Sequence, residues 1–594
     1  MRGTGKRART RRILPLSVAL LAAVLGACSN TPPPPVVTSP AAQTTTAKNP
    51  SQIVFGVDDI TGGFNPHNIA DSSTVTSALA QLVLPSVFRS DDTGKPVLDK
   101  SLMRSAEVIS QQPFTVAYEI KQEASWSDGA PIAVEDFIYL YNQMRDNPGV
   151  VQPAGYRQIN NIQPGEGGKR VEVTFSKPYP GWQTLFSNLM PSHLLKDAPG
   201  GWQNALEGGF PAVAGPFSVK TMDRDRGEIV LERNERYWDK VAAVDQIVLR
   251  RTDQVGMVDA LRSGNDQFAL YRTDETGLKR LSELGTAVRL HTIPRPFVAE
   301  VLLRPAGGAL TDERTRAGVS ALIDRKQLID EGVSGGPSAT LHADAQVLAP
   351  SMPGYAPTVP AAGAPGTPDP QRAQEQLTAA GYTKEAGTWR KDGKPLSLVI
   401  GSPGQQEPYA TIAKKLASQL VAAGVEVRTV SPQPRDLFSG QLAMPVKTAQ
   451  PTTSGSTTPS TTPDTGSGGS GVGIDIAVVP QPVGGDPASM LASEFGCRPA
   501  PPNSDDQPPA VPANSAAFCQ KSLQPAIDSA LSGATPVPEA LASLEPELWR
   551  QNVAIPLFQL ADTLAVGKGI SGLTPGPPLM GPFGGAVNWT RGAK

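Results

Sequence analysis

At 594 residues, 39% of them hydrophobic and 18% charged, the chain exceeds what one hydrophobic core supports, so two or three packed domains are expected. Its formal charge of −2 includes six cations in the first twelve residues and no anion there; without those six it stands at −8. That balance argues against a polyanion-binding surface. With no later basic cluster and no aromatics interleaved with arginines, nucleic-acid binding has no support either.

The first twelve residues carry Arg2, Lys6, Arg7, Arg9, Arg11 and Arg12, and thirteen mostly apolar residues (13–25) follow. A bilayer-spanning helix needs about 20 apolar residues, so this segment reads as a removable signal and not as a permanent anchor. Leu25-Gly26-Ala27-Cys28 resembles a bacterial lipobox. Residues 1–27 are therefore expected to be a signal peptide. Cys28 would be the lipid-modified first residue of the mature chain, held by acyl chains on the extracytoplasmic face of the cell membrane. Residues 28–50 are rich in Pro, Thr and Ala and read as a disordered tether.

Patterned sequence begins after the tether. Phe114, Val116, Tyr118 and Ile120 alternate with more polar residues, as do Val171, Val173 and Phe175, which predicts two half-buried antiparallel strands. Ser127-Asp128-Gly129 supplies turn chemistry. Val134, Phe137, Ile138 and Tyr141 then share one face of a helix over about 134–144. Further on, Thr311 is expected to cap a helix with Asp312 and Glu313 in its first turn, and Asp324 with Gln327 resembles a capping box opening a second. Leu396, Leu398 and Ile400 predict a strand, Ile412, Leu416 and Leu420 a helix ended by Gly424, and Val425 and Val427 another strand. That order is a βαβ unit with a parallel sheet.

A second low-complexity tract, about 448–473, interrupts this pattern, and an apolar strand resumes at 474–479. The tract is therefore expected to be a disordered insertion into an existing loop. Besides Cys28 the chain has Cys497 and Cys519, an even pair that in an exported protein most simply means one disulfide, two buried free thiols being the alternative. The residues between them offer almost nothing to bury.

Motifs for catalysis and cofactors fail on context. Gly332-Val333-Ser334-Gly335-Gly336 spells G-x-S-x-G, but a nucleophile elbow follows a strand, whereas Ser334 follows a predicted helix. A G-x-G-x-x-G match at 466–471 lies inside the low-complexity tract with no strand before it. The four histidines, His67, His193, His291 and His342, have no ligand-like spacing. No enzyme activity, cofactor or metal is expected.

Four segments, in order, carry a resemblance: FTVAYEIKQEASWSDGAPIAVEDFIYLYNQM (114–144), VAGPFSVKTMDRDRGEIVLERNERYWDKVAAVDQIVLR (213–250), LTDERTRAGVSALIDRKQLIDEGVSGGPS (310–338) and PDPQRAQEQLTAAGY (368–382). Together they are similar to the oligopeptide-, dipeptide- and nickel-binding proteins of ABC importers, over about 53–573. The lipobox and tether added to this core resemble, more narrowly, mycobacterial envelope lipoproteins implicated in phosphatidylinositol mannoside and lipoarabinomannan synthesis. The resemblance implies a multi-lobed α/β fold of the type II periplasmic-binding-protein kind, with mixed sheets and a hinged cleft between lobes. It implies a central lobe of 51–85, 207–296 and 562–594, an inserted lobe of 86–206 and a second large lobe of 297–561.

As site residues it implies Asp486, where relatives place an acid facing a peptide's ammonium, and the loop of Phe64 and Asn65. Pro480 and Gln481 stand where peptide-binding relatives tend to place an aromatic. Trp126 and Trp238 read as packing residues. Of the acidic doublets only Asp58-Asp59, after the first strand, lies near the family's cleft. The ligand is expected to be a mannosylated phosphatidylinositol intermediate or, alternatively, a peptide. A mannosyltransferase or another envelope enzyme is the expected protein partner.

Overall fold

The computed structural model describes residues 51–60, 62–306, 308–443, 473–497 and 514–592. The lipobox with Cys28, the tether and the low-complexity tract up to 472 lie outside the described residues. None of the described helices is long and apolar enough to cross a membrane.

Ten strands form the main sheet: β1 (Gln52–Val57), β2 (Phe217–Asp223), β3 (Glu228–Arg233), β4 (Gln246–Arg251), β5 (Phe268–Tyr271), β6 (Val288–Leu303), β7 (Ser397–Gly401), β8 (Glu426–Val430), β9 (Ile476–Pro482) and β10 (Ala554–Gly567). Their spatial order is β8-β7-β9-β6-β10-β5-β1-β4-β3-β2. The two longest, β6 and β10, pair antiparallel in the middle. Every residue of β10 is buried. Along β6, Phe297, Ala299, Val301 and Leu303 pack into one hydrophobic cluster while Val298 and Leu302 pack into another. This is the period-2 alternation of a strand covered on both faces.

The β6–β10 ladder has two halves. Residues 288–294 pair with 567–561 and 298–302 with 559–554, with an irregularity between Pro294 and Val298. On one half, β5 pairs with β10, and β1 and β4 follow in parallel. On the other, β9 pairs with β6, and β7 and β8 follow in parallel. The expected βαβ unit is β7, the helix Tyr409–Ala422 and β8. Gly424, expected to end that helix, has a φ of +95°, and a Cβ there would fall 2.1 Å from the carbonyl oxygen of Gly387.

A separate antiparallel sheet contains Met103–Gln111, Phe114–Ile120, Arg170–Phe175 and Ile159–Pro164. The helix Val134–Asp146 turns Phe137, Leu140, Tyr141 and Met144 inward. The motif around it has a structural reason. Asp136 Oδ2 accepts from the Ala133 N–H at 3.1 Å and from Trp126 Nε1 at 3.2 Å, while Oδ1 accepts from the N–H and hydroxyl of Ser192 at 3.0 and 2.8 Å. Burial pushes this carboxyl up and the four donors oppose it. Trp126 is fully buried, and Trp238 donates to the Ser101 carbonyl at 2.7 Å.

Two capping expectations need correction. Asp312, not Thr311, caps Glu313–Ala321, accepting from the Thr315 N–H, because its carboxylate brings negative charge to the free N–H groups at the helix start. Asp324 does cap Arg325–Val333, but Gln327 reaches the Asp324 side chain, and the Asp324 N–H goes to Gln419 instead. Cys497 and Cys519 are joined by a disulfide, with Cα atoms 4.8 Å apart.

Candidate ligand-binding site

The pairing registers fix where a site can form. In β5 the chain runs from Phe268 opposite Val566 to Tyr271 opposite Thr563, and β1 runs parallel to it. In β9 it runs from Ile476 opposite Leu303 to Pro482 opposite Phe297, with β7 and β8 parallel. Both half-sheets therefore send their strand carboxyl ends toward the middle of the β6–β10 ladder, where the register breaks. In open α/β sheets, ligands lie outside strand carboxyl ends at such a switch of direction.

Polar residues gather there from distant parts of the sequence. Asp58 follows β1, and its Oδ2 accepts from the Arg272 N–H at 3.2 Å just beyond β5. Asp58 is reached by solvent yet hemmed in by protein, as a residue on a cleft wall is. That enclosure, with the charge of Asp562 added, pushes its carboxyl up to about 6 against the Arg272 N–H, the charge of Arg295 and its own N–H. Asp562 on β10 is buried; its Oδ2 accepts from Thr74 Oγ1 at 2.6 Å and lies 3.8 Å from Arg295 Nε. Arg272 donates to the Gly332 carbonyl at 2.9 Å. Tyr409, first in its helix after β7, is buried within electrostatic reach of both arginines, and burial pushes its hydroxyl up.

The residues expected from the resemblance sit close by in chain terms but are otherwise engaged. Asp486 follows β9 after Gly484 and Gly485, whose φ values of +106° and +72° suit glycine. Its carboxylate caps the helix Pro487–Phe495, accepting from the Ala488 and Ser489 N–H groups at 3.2 and 3.1 Å. Burial pushes this carboxyl up and the two N–H groups oppose it. Phe64 is buried beneath Arg224, whose guanidinium lies 5.2 Å from the ring centroid. Asn65 is buried as a turn residue, with Oδ1 accepting from the His67 N–H at 3.1 Å. In this structure both side chains point into the protein.

A clasp closes one rim. Arg435, five residues past β8, lies 3.2 Å from Asp71 Oδ1, 2.9 Å from Glu207 Oε2 and 3.0 Å from Asn204 Oδ1. Ser439 donates to Gln203 at 2.6 Å beside it. The clasp binds the excursion after β8 to the loop after β1, although five strands separate these two in the sheet. Among the described residues no group of three or more His, Cys, Asp or Glu could hold a metal ion.

The sequence profile described as "Bacterial extracellular solute-binding proteins, family 5 Middle" matches residues 98–467. The chain belongs to this family. It is 31% identical over 97% of both chains to a Mycobacterium tuberculosis protein named "Probable monoacyl phosphatidylinositol tetramannoside-binding protein LpqW". It is 25% identical to the oligopeptide-binding protein OppA of Mycobacterium bovis, over 63% of this chain and 64% of that one. The Bacillus subtilis oligopeptide-binding protein AppA, solved with a nonapeptide, superposes with a TM-score of 0.68 at 16% identity, covering 92% of this chain and 100% of that one. The fold is thus the type II periplasmic-binding-protein kind, and the family is one of binding proteins, not enzymes. Ser334 fits that picture: it ends a helix with a φ of 48°, and its hydroxyl donates to the Glu331 carbonyl at 3.0 Å.

Asp58 was visible in the sequence as one of several acidic doublets. Arg272, Arg295, Asp562 and Arg435 were not, since each is isolated in its segment. The one local signal was Pro294-Arg295-Pro296, where two prolines interrupt an otherwise strand-like run.

Proposed function

We propose that this protein is an envelope lipoprotein, anchored through Cys28, that binds the polar headgroup of a mannosylated phosphatidylinositol between its lobes and thereby regulates phosphatidylinositol mannoside and lipoarabinomannan synthesis. The observation that carries this reading is the end-to-end likeness to LpqW, which includes the sequence before and after the family core. The chemistry at the strand ends is compatible with it. Carboxylates accept from hydroxyls and guanidinium groups donate to them, and a cleft that closes on a solute needs no covalent step. In this reading the lobes are 51–85 with 207–296 and 562–594, 86–206, and 297–561. A mannosyltransferase or other envelope enzyme reads the liganded state.

Native mass spectrometry of the protein purified from its own envelope tests the reading. A co-purifying glycolipid mass is expected, together with a shift in the balance of mannosylated lipids when the gene is deleted. A peptide as cargo with an unchanged lipid balance would overturn it. That outcome would favour the second reading, a peptide-binding component of an ABC importer, which the likeness to OppA and AppA motivates. Replacement of Cys28 by Ser is expected to abolish fatty-acid labelling and release the protein from the membrane fraction.

A further inference from the structure

We propose that Asp58 is the principal hydrogen-bond acceptor for a neutral, hydroxyl-bearing ligand group, a sugar or inositol ring, held at the ends of β1 and β5; this rests on the glycolipid reading above and names the residue that carries it. Asp58 stands at the convergence of the two half-sheets and is the exposed member of a set whose other acid, Asp562, is buried under Thr74. Its carboxylate takes two backbone donors, the Arg272 N–H and its own N–H, and no side-chain donor among the described residues. A carboxylate offers about four acceptor sites, so capacity remains for about two ligand hydroxyls.

The neighbouring cations do not fill that capacity. The Arg272 guanidinium is turned to the Gly332 carbonyl, the Arg295 guanidinium stands by Asp562, and Asp58 makes no ion pair with a described residue. The partial enclosure of Asp58 and then the charge of Asp562 push its carboxyl up to about 6, and a ligand that supplies strong donors stabilises the ionised form. A second group lacks a partner as well. The Tyr271 hydroxyl is fully buried, has no hydrogen-bond partner, and lies within electrostatic reach of Asp58.

The charge distribution selects the class of donor. An ammonium group seated on Asp58 would lie in the field of the Arg295 guanidinium, which acts on Asp58, and near Arg272, whose charge acts with that of Arg295 on the neighbouring Tyr409. A hydroxyl carries no net charge, and it can donate to Asp58 while accepting from Arg272 or Arg295. Adjacent hydroxyls on a pyranose or cyclitol ring match a carboxylate with arginines nearby better than a peptide amine does.

Titration calorimetry with the mature chain tests this, using the deacylated headgroup of a phosphatidylinositol tetramannoside and, separately, a pentapeptide. Asp58→Ala is expected to weaken headgroup binding at least 30-fold and Asp58→Asn about tenfold, with Asp486→Asn unchanged and all three variants melting near the parent temperature. Equal headgroup affinity in the parent, Asp58→Ala and Asp58→Asn proteins would overturn the role of Asp58 while leaving the glycolipid reading intact. A parent protein that binds the pentapeptide and not the headgroup would overturn the glycolipid reading itself, and this proposal with it.

Discussion

Replacing Arg435 by Ala opens the clasp, and the structure sets the size of the effect. The Asp71 side chain is 1% exposed and its carboxyl already sits above the ordinary value, because burial outweighs the pull of Arg435. Removing the guanidinium leaves that carboxylate with only the backbone donors of Asn65 and Gly63. Stranding one member of a fully buried pair costs about 3–5 kcal/mol; since the Arg435 side chain is 21% exposed and water can partly replace it, about 2 kcal/mol is expected. The half-exposed Glu207 pair adds little. The sign with pH follows. Asp71 is neutral in both states below the unfolded value of 3.8, so the variant and parent should converge there. The unfolded chain ionises alike in both proteins, so the loss should grow as pH rises through the parent's folded value, which lies above 3.8, and the Arg435→Ala folded carboxyl resists ionisation further. Urea unfolding at pH 3.5 and pH 7, with Arg435→Ala, Asp71→Asn and the double variant, measures it. The double variant should recover most of the loss, with a coupling of at least 1 kcal/mol. A variant as stable as the parent at pH 7, or a loss that Asp71→Asn does not relieve, would refute the clasp.

Two further outcomes follow from buried groups. Glu300 on β6 is 1% exposed with Oε2 lacking a partner, and burial and then the charge of Glu494 push its carboxyl well up; Glu494 itself is pushed up to about 7 by burial. Carboxyls raised in the folded state contribute their full stability below the unfolded value near 4.5 and lose it as pH rises through the folded value. Glu300→Gln should therefore be stabilising at pH 8 and neutral at pH 4.5 in thermal unfolding, and the reverse order would contradict this. Reducing the Cys497–Cys519 bridge, or replacing both residues by Ser, should cost about 3 kcal/mol of stability through the freed loop of the unfolded chain, read as a lower melting temperature. An unchanged melting temperature on reduction would show that the bridge restrains nothing that unfolding releases.

Local signals were readable because their physics is local. The face of Val134, Phe137 and Tyr141, the β7-helix-β8 unit and the strand beginning near 474–479 each follow from a period or a breaker within a dozen residues. The cap at Asp312 was misplaced by one residue because Thr311 and Asp312 both suit the position and only the geometry of the turn decides between them. The site escaped for a different reason. Asp58, Arg272, Arg295 and Asp562 are neighbours only through the parallel pairing of β1 with β5 and the antiparallel pairings of β5 and β6 with β10. No short window contains that information. Asp486 illustrates the converse: its motif was legible, but an Asp-Pro sequence also suits a helix start, and here its carboxylate caps one.

The midpoint of the β6–β10 ladder is where a hinge belongs, and its chemistry can be tested. Pro294 and Pro296 remove two ladder donors from β6, and the regular pairing lapses between Pro294 and Val298. The gap is bridged by a side chain: Gln559, fully buried, donates to the Arg295 carbonyl at 2.9 Å and to Ser351 Oγ at 2.8 Å. One side-chain bond can break and re-form as the two half-sheets rotate, whereas a backbone ladder resists such rotation. Native-state hydrogen exchange should therefore show Arg295 and Phe297 exchanging at least tenfold faster than Ala299, Val301 and Leu303 on the same strand. Gln559→Leu should widen that difference without moving global stability by more than about 2 kcal/mol. Uniform protection along β6 would mean that the two half-sheets behave as one rigid body, and a cleft that closes by rotation about this ladder would have to be abandoned.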